Sequence, residues 1–219
     1  MIDSESNPQL PTLTQFFRRL PETCYREASA DPAPAPCRIS ANESLAIEMG
    51  LSTEWLFGET ALDLFSGRKR LAEAPVAFTY AGHQFGQFNP QLGDGRALLL
   101  GERTSSDGRV YEWQLKGSGR TDFSRGGDGK SPIGPVLREY ILCEAMHALG
   151  VPTTRALYAL GTGETVYRDQ ALDGAVLCRT GQSFIRIGSL QYFAARGDNE
   201  TLKALVDASL ERSFPLDSD

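Results

Sequence analysis

The sequence predicts an α+β fold in which an antiparallel sheet carries one well-packed helix, and three observations predict it. Residues 76–80, 97–100 and 110–115 are rich in β-formers and punctuated by glycine. Between the last two segments, Ser105-Ser-Asp-Gly108 is a turn, which makes them a hairpin. A further segment has helical character: Pro135 suits a first turn, and the helix runs to Leu149 before Gly150 and Pro152 stop it.

The remaining elements follow in chain order. Residues 1–40 read as a flexible N-terminal segment. Its first ten residues are acidic and polar, without the basic and apolar regions of a secretory signal, and Asp31-Pro-Ala-Pro-Ala-Pro36 favours an extended spacer. Ser40-Ala-Asn-Glu43 is a capping box ahead of Leu45, Ile47 and Met49, so a helix is expected over 41–49, with another over 53–65. Short strands are expected at 154–160, 165–168, 175–179 and 183–187, then a polar helix over 200–212.

Composition narrows the function. With 22 Lys and Arg against 28 Asp and Glu, the net charge of −6 argues against broad attraction to nucleic acid or an anionic membrane. Any bound anion must be held by a local site. Hydrophobic content of 41% with 23% charged residues is ordinary for a globular chain, and no apolar run approaches the roughly 18 residues of a membrane span. Cys24, Cys37, Cys143 and Cys178 lack C-x-x-C spacing, and His83 and His147 complete no zinc pattern, so no metal ligands are assigned and reduced thiols in a cytoplasmic protein are expected.

The chemistry starts from Val110-Tyr-Glu-Trp-Gln-Leu-Lys116, where the two-residue period sends Tyr111, Trp113 and Leu115 to the core and leaves Glu112, Gln114 and Lys116 on the other face. Lys116 is either a solvated edge lysine or a binding group with a partner. Glu139 is the candidate partner. Leu142, Cys143 and Met146 follow it at i+3, i+4 and i+7, which puts its carboxylate on an apolar stripe where an unpaired charge costs on the order of several kcal/mol. Local pairing with Arg138 is the alternative. A strand lysine paired with a helix glutamate is the phosphate-binding arrangement of protein kinases, and the predicted lobe has the shape of a kinase N-lobe.

Other segments offer anion sites. Gln91-Leu-Gly-Asp-Gly-Arg96 enters a strand, and Gly93 and Gly95 would let backbone N–H groups approach a phosphate, although a plain turn has the same signature. Ser124 to Ser131 nearly spells a P-loop, but serine replaces the first glycine, and Pro132, Gly134 and Pro135 spoil the helix that should follow. A two-residue turn at Gly181-Gln182 would set Arg179 and Arg186 diagonally on one face, roughly 7–8 Å apart at the backbone, as a clamp for one polyphosphate; unpaired surface arginines are the alternative. His83 has no carboxylate or nucleophile at a telling spacing and reads as a hydrogen-bonded structural residue.

Spaced motifs then resemble one family. Tyr80-Ala-Gly-His-Gln-Phe-Gly86, Pro90-Gln-Leu-Gly-Asp-Gly-Arg96, Leu115-Lys-Gly-Ser-Gly119, Ser124-Arg-Gly-Gly-Asp-Gly129, Arg138-Glu-Tyr140 with Glu144-Ala-Met-His-Ala-Leu-Gly150, and Pro152-Thr-Thr-Arg155 are similar, in order, to the selenoprotein O family of protein adenylyltransferases. These are the YdiU-type proteins once called pseudokinases, and the resemblance covers roughly residues 40–213. It implies a kinase-like fold that binds ATP in reversed orientation and transfers AMP, rather than the γ-phosphoryl group, to Ser, Thr or Tyr hydroxyls of protein substrates. It further implies that Gly93, Gly95 and Arg96 lie in a nucleotide loop, that Lys116 binds phosphate and Glu139 orients it, that Asp128 and Gly129 contact the nucleotide, and that Arg179 and Arg186 hold the outward phosphates. Mg²⁺ is the implied metal, with Mn²⁺ as its alternative. Family members are roughly double the length, and the part absent here holds the catalytic-loop Asp base, its neighbouring Asn and the metal-binding Asp. Residues 41–219 are therefore expected to be a kinase-like nucleotide-binding region, an N-lobe with the start of the following lobe, incomplete at the C-terminus. The alternative of a different class is a nucleotide- or partner-binding module without catalysis.

Overall fold

The computed structural model describes residues 10–214. The first nine residues of the predicted N-terminal segment, and the five after the last helix, lie outside the described residues. The architecture is α+β. One antiparallel sheet runs in the order β1-β3-β6-β7-β10-β9-β2, where β1 is Tyr25–Glu27, β2 Cys37–Ala41, β3 Val76–Phe78, β6 Ala97–Thr104, β7 Val110–Lys116, β9 Arg155–Tyr167 and β10 Ala171–Gly181. A two-residue strand, β8 (Ser131–Pro132), pairs with β10 beyond the end of β7. Between β3 and β6, β4 (Gly82–Gln84) and β5 (Gln87–Asn89) form a separate hairpin. The predicted β6–β7 hairpin is present, with Ala97 opposite Lys116 and Thr104 opposite Val110.

The two faces of the sheet are covered differently. On one, α1 (Glu43–Glu48), α2 (Thr53–Phe57) and α3 (Glu59–Phe65) bury Leu45, Trp55 and Phe65 against Trp113, Leu115 and Tyr158. Alternation along β7 brings this about, because Tyr111, Trp113 and Leu115 all point that way. On the other face, α4 (Ile133–Ala148) packs Val136 and Cys143 on Ala156, Ala159, Ala175 and Leu177 of β9 and β10. Beside it, α5 (Ile187–Ala194) and α6 (Asn199–Ser213) bury Phe193 and Leu205 with Val76, Phe78 and Leu99 of β3 and β6. The strip of sheet between α4 and α5 is left open, and β7 and β10 run beneath it.

Several expectations change in detail. The helix expected over 53–65 breaks at Gly58, which is extended and caps both α2 and α3. Ser40 lies in β2, so α1 is capped instead by Asn42, whose side chain accepts from the Leu45 N–H at 3.1 Å. The strands expected at 154–160 and 165–168 are one strand, β9. No strand forms at 183–187, because β10 is already paired with β7 and β9 and has no free edge to offer. The chain leaves the sheet there, the Phe184 ring enters the core under α5 and α6, and Arg186 caps α5.

The segment read as a flexible spacer also packs. Thr14 exchanges backbone hydrogen bonds with Glu102, and Phe17, Leu20 and Cys24 are buried. In Asp31-Pro-Ala-Pro-Ala-Pro36 the prolines have no N–H, yet every alternate residue donates: Asp31 to Ser118, Ala33 to Ser66 and Ala35 to Thr162. Among the described residues no helix is long and apolar enough to cross a membrane.

Candidate functional site

The open strip between α4 and α5 is a cleft of about 620 Å³, within the roughly 300–1,000 Å³ typical of small-molecule sites. Register sets its floor, since Arg179 of β10 stands directly opposite Gln114 of β7, and Lys116 follows two residues later on the same face. Seven Lys or Arg side chains line it against two carboxylates, Asp94 and Asp128, in a chain whose net charge is −6.

Glu139 reaches the floor from α4. Lys116 Nζ donates to its Oε2, and Arg179 Nη1 donates to its Oε1 at 2.9 Å. α4 is fixed over this point by Glu144, which accepts from Arg155 Nη2 at 2.9 Å, the Ala156 N–H at 2.8 Å and Asn42 Nδ2 at 2.7 Å. Two cations on one carboxylate leave a positive charge in excess, with Lys116 and Glu139 still 23% and 21% exposed. Burial resists the charge on Glu139, but Arg179 and Lys116 outweigh it and hold the carboxyl below its ordinary range. Burial, with Arg179 close by, pulls the Lys116 ammonium down despite the pull of Glu139. The apolar stripe expected around Glu139 is half formed: Cys143 is buried, whereas Leu142 and Met146 are exposed.

A second layer lies toward α5. Asp94 is buried, accepting from the Phe78 N–H at 3.1 Å and from Gln114 Nε2 at 3.4 Å. Its other oxygen has no hydrogen bond and faces Arg186 Nη2 at 3.8 Å. Burial pushes this carboxyl up, against the opposing effects of Arg186 and the Phe78 N–H. Arg186 also lies over the Tyr80 ring at 4.9 Å, and burial beside Asp94 raises the Tyr80 hydroxyl. Gln114 joins the two layers, because its Oε1 accepts from Arg179 Nε at 3.0 Å while its Nε2 holds Asp94.

The glycine-rich loop after Lys116 forms the outer wall. Arg168 holds Asp128 by two hydrogen bonds of 2.8 and 2.9 Å, and this pairing lowers the Asp128 carboxyl to about 2. Lys130 pairs with Glu164, and Ser131 and Pro132 continue as β8 rather than as a helix, which removes the P-loop reading. Gly129 has φ +69°, and a Cβ there would stand 1.9 Å from the Gly119 carbonyl oxygen. Gly93 has φ +64°, and a Cβ would stand 2.2 Å from the Phe123 ring.

All eight residues expected at a nucleotide thus line one cleft: Gly93, Gly95, Arg96, Lys116, Asp128, Gly129, Arg179 and Arg186. Glu139 stands behind them and ties two together. The N–H groups of Gly93 and Gly95 are bonded to the carbonyls of Tyr80 and Gly93, and a Cβ at either glycine would meet the Phe123 segment. The arginine convergence has a different origin, since Arg186 comes from the α5 cap and not from a paired strand. His83 is exposed on the β4–β5 hairpin, its ring tilted 52° to that of Phe88 with centroids 5.3 Å apart, and has no side-chain hydrogen bond among the described residues. Asp94, Gln114 and Tyr80 were not singled out from the sequence, although Gln114 shares the two-residue period of Lys116 and Asp94 sits between the two glycines that were.

The model of the family described as protein adenylyltransferase SelO matches residues 11–219. The chain is 55% identical over 201 residues to a protein nucleotidyltransferase YdiU of Methylorubrum populi, covering 91% of this chain and 40% of that protein. It is 53% identical to one of Rhizobium rhizogenes, covering 95% and 41%, and 51% identical to one of Mycolicibacterium paratuberculosis, covering 92% and 41%. The chain therefore spans about two fifths of the length of these relatives. Matched from residue 11 to its last residue and half identical to relatives in distant genera, it belongs to the SelO family.

Proposed function

We propose that this chain is the nucleotide-binding part of a protein adenylyltransferase with a kinase-like lobe, holding ATP in reversed orientation for transfer of AMP to Ser, Thr or Tyr hydroxyls of proteins. The observation that carries the reading is the Lys116–Glu139–Arg179 cluster, a net cation at the floor of a cleft that also gathers Arg96 and Arg186. The cleft has the size for a nucleoside triphosphate, and its cations suit a triphosphate's oxygens.

In the reversed orientation the acceptor oxygen attacks the α-phosphorus, a P–O bond forms, and the bond to the pyrophosphate oxygen breaks; the hydroxyl proton passes to the Asp base that the family resemblance places outside this chain. Lys116 and Arg179 hold oxygens of the phosphate chain and stabilise the charge that develops there, while Arg186 takes the outward phosphates. Glu139 keeps both cations at fixed positions, so little reorganisation accompanies the reaction. Among the described residues no three acidic, His or Cys side chains converge on a metal position; the family resemblance puts the Mg²⁺ ligands in a part outside this chain, and no step is derived through the metal.

Two labels test this reading. Full-length protein given ATP labelled at the α-phosphate should label protein, and ATP labelled at the γ-phosphate should release labelled pyrophosphate without labelling protein. In the 219-residue chain, Lys116→Ala should weaken ATP binding at least tenfold by calorimetry, on the order of a lost charge-assisted contact. Label entering protein from the γ-phosphate, or an unchanged Kd, refutes the proposal.

A further inference from the structure

The cleft that gathers cations also holds a carboxylate whose charge the fold does not explain. Asp94 is 2% exposed and closely tied to the end of β3. Its N–H donates to the Phe78 carbonyl at 2.9 Å, its Oδ2 accepts from the Phe78 N–H at 3.1 Å, and its carbonyl accepts from Thr121 Oγ1 at 2.7 Å. Gln114 Nε2 adds a further contact to Oδ2 at 3.4 Å. An asparagine could keep every one of these bonds. The negative charge serves none of them, and burial opposes it. Oδ1 is left buried without a hydrogen bond among the described residues.

What Oδ1 faces is Arg186, whose Nη2 stands 3.8 Å away, outside hydrogen-bond reach and within the range of an ion pair. Of the charges around Asp94, that of Arg186 offsets its burial most. The backbone of Arg186 is set separately: its carbonyl accepts from the Ser189 N–H at 2.9 Å, and a Cβ at Gly188 would stand 2.0 Å from the Ala81 carbonyl oxygen. The side chain then crosses the Tyr80 ring at 4.9 Å and reaches the cleft 40% exposed. Here the two arginines of the cleft differ. Arg179 is 12% exposed and immobilised by hydrogen bonds to Gln114 and Glu139, whereas Arg186 has only a ring beneath it and a buried charge to one side. A long exposed side chain loses rotamer freedom when it grips a ligand, and a partner that fixes it beforehand lowers that cost.

We propose that Asp94 is the positioning residue of Arg186: its carboxylate draws one guanidinium nitrogen inward over Tyr80, so that the other N–H groups face the phosphates. The inference rests on the nucleotide-binding reading above and adds the reason an acid stands among cations that receive a polyanion.

The sign of one substitution separates this role from its alternatives. Asp94→Asn keeps an acceptor for Phe78 and Gln114 and removes the charge. A carboxylate that merely repelled the phosphates would, once neutralised, let them bind more tightly. Positioning requires the reverse. The probe is ATP with its α,β-bridging oxygen replaced by methylene, titrated by calorimetry into the full-length protein so that no transfer occurs. Asp94→Asn should raise its Kd about fivefold in the wild-type background and should leave it within about twofold, or lower it, in Arg186→Ala. Tighter binding in both backgrounds reduces Asp94 to a repelling charge and overturns the inference. Equal losses in both show that Asp94 acts on the cleft without Arg186 and overturn it too. Arg186→Lys, at an exposed side chain, keeps the test available if the buried substitution does not fold. One ammonium cannot serve Asp94 and a phosphate at once as a guanidinium fork can, so its Kd should rise nearly as far as that of Arg186→Ala, and a wild-type Kd refutes the role. Lys116→Ala separates the two levels of failure. If it weakens the analogue while Arg186→Ala does not, only the positioning role falls; if wild type fails to bind the analogue, the nucleotide reading falls and takes this role with it.

Discussion

Two charged triads lean on strand β7, and their stoichiometry is opposite. At one end Lys116 and Arg179 share Glu139. Toward the other, Glu112 and Glu102 share Arg212, which α6 delivers at 3.1 Å and 2.5 Å. The first has one positive charge in excess and opens on the cleft; the second has one negative charge in excess and is sealed, with side-chain exposures of 3% to 12%. The carboxylates respond accordingly. Glu139 is held below its ordinary range, whereas burial, only partly offset by Arg212, pushes Glu112 up to about 7. On the proposed reading one strand therefore serves an anion receptor and a structural lock, and the excess charge together with solvent access distinguishes them.

The largest effect should come from breaking the lock. Arg212→Ala leaves two carboxylates buried without a cation, which costs about 3–5 kcal/mol in comparable cases. Urea unfolding should show that loss, while ATP binding by the folded fraction stays within about twofold. A loss under about 1 kcal/mol would mean that α6 is held by its apolar face alone.

Breaking the receptor should cost less and should be reversible by ligand. Glu139→Gln leaves Lys116 and Arg179 facing each other, and because both triad ends see water the expected destabilisation is about 1–2 kcal/mol. Pyrophosphate supplies the missing negative charge, so it should raise the Tm of Glu139→Gln by more than it raises that of the wild type. It should not differentially rescue Arg212→Ala, whose triad lacks a cation. Equal Tm shifts in wild type and Glu139→Gln would show that the anion does not sit on this cluster.

The lock also predicts a pH dependence. Glu112 has a folded-state value of about 7 against 4.5 unfolded, so it binds its proton more tightly in the native state. Its contribution to stability is complete below pH 4.5 and declines as pH rises through 7, on the order of 3 kcal/mol in all. Glu112→Gln does not titrate and keeps an acceptor for the Phe184 N–H. Its Tm relative to wild type should therefore rise between pH 5 and pH 8, and a flat difference would contradict the raised value.

These two triads also mark what the sequence made legible. The alternation along β7 and the helix around Glu139 are local patterns, and together they brought Lys116 and Glu139 into one hypothesis. The sheet hairpin and α4 were readable for the same reason. The lock was not, because Arg212 meets Glu112 across a hundred residues, and nothing local marks Glu112 as buried rather than solvated. The strand predicted at 183–187 failed on a related ground. Its pattern suits a strand, but which strands already flank β10 is settled by the topology of the whole sheet. The glycines of Gln91-Leu-Gly-Asp-Gly-Arg96 were marked as close-approach positions, and the group packed against them here is the Phe123 segment.

The smallest effect should come from the rim of the receptor. Of the seven cleft cations, Lys116 and Arg179 are tied to Glu139, Lys130 to Glu164, Arg168 to Asp128 and Arg186 to Asp94, which leaves Arg96 and Arg125 without an ion pair among the described residues. Arg125 is solvent-exposed with φ +48°, so Arg125→Asn removes the charge and keeps a residue that tolerates left-handed backbone. An exposed charge acts through a screened field that reaches about 10 Å at 0.1 M salt and about 3 Å at 1 M. The ATP Kd of Arg125→Asn should therefore rise about two- to threefold at 0.05 M salt and match the wild type at 1 M. The loss in Lys116→Ala should persist at 1 M, because that ammonium is partly buried and its contact is direct. If both losses disappeared with salt, the floor and the rim would be one diffuse field, and the Lys116–Glu139–Arg179 cluster would have no special place in it.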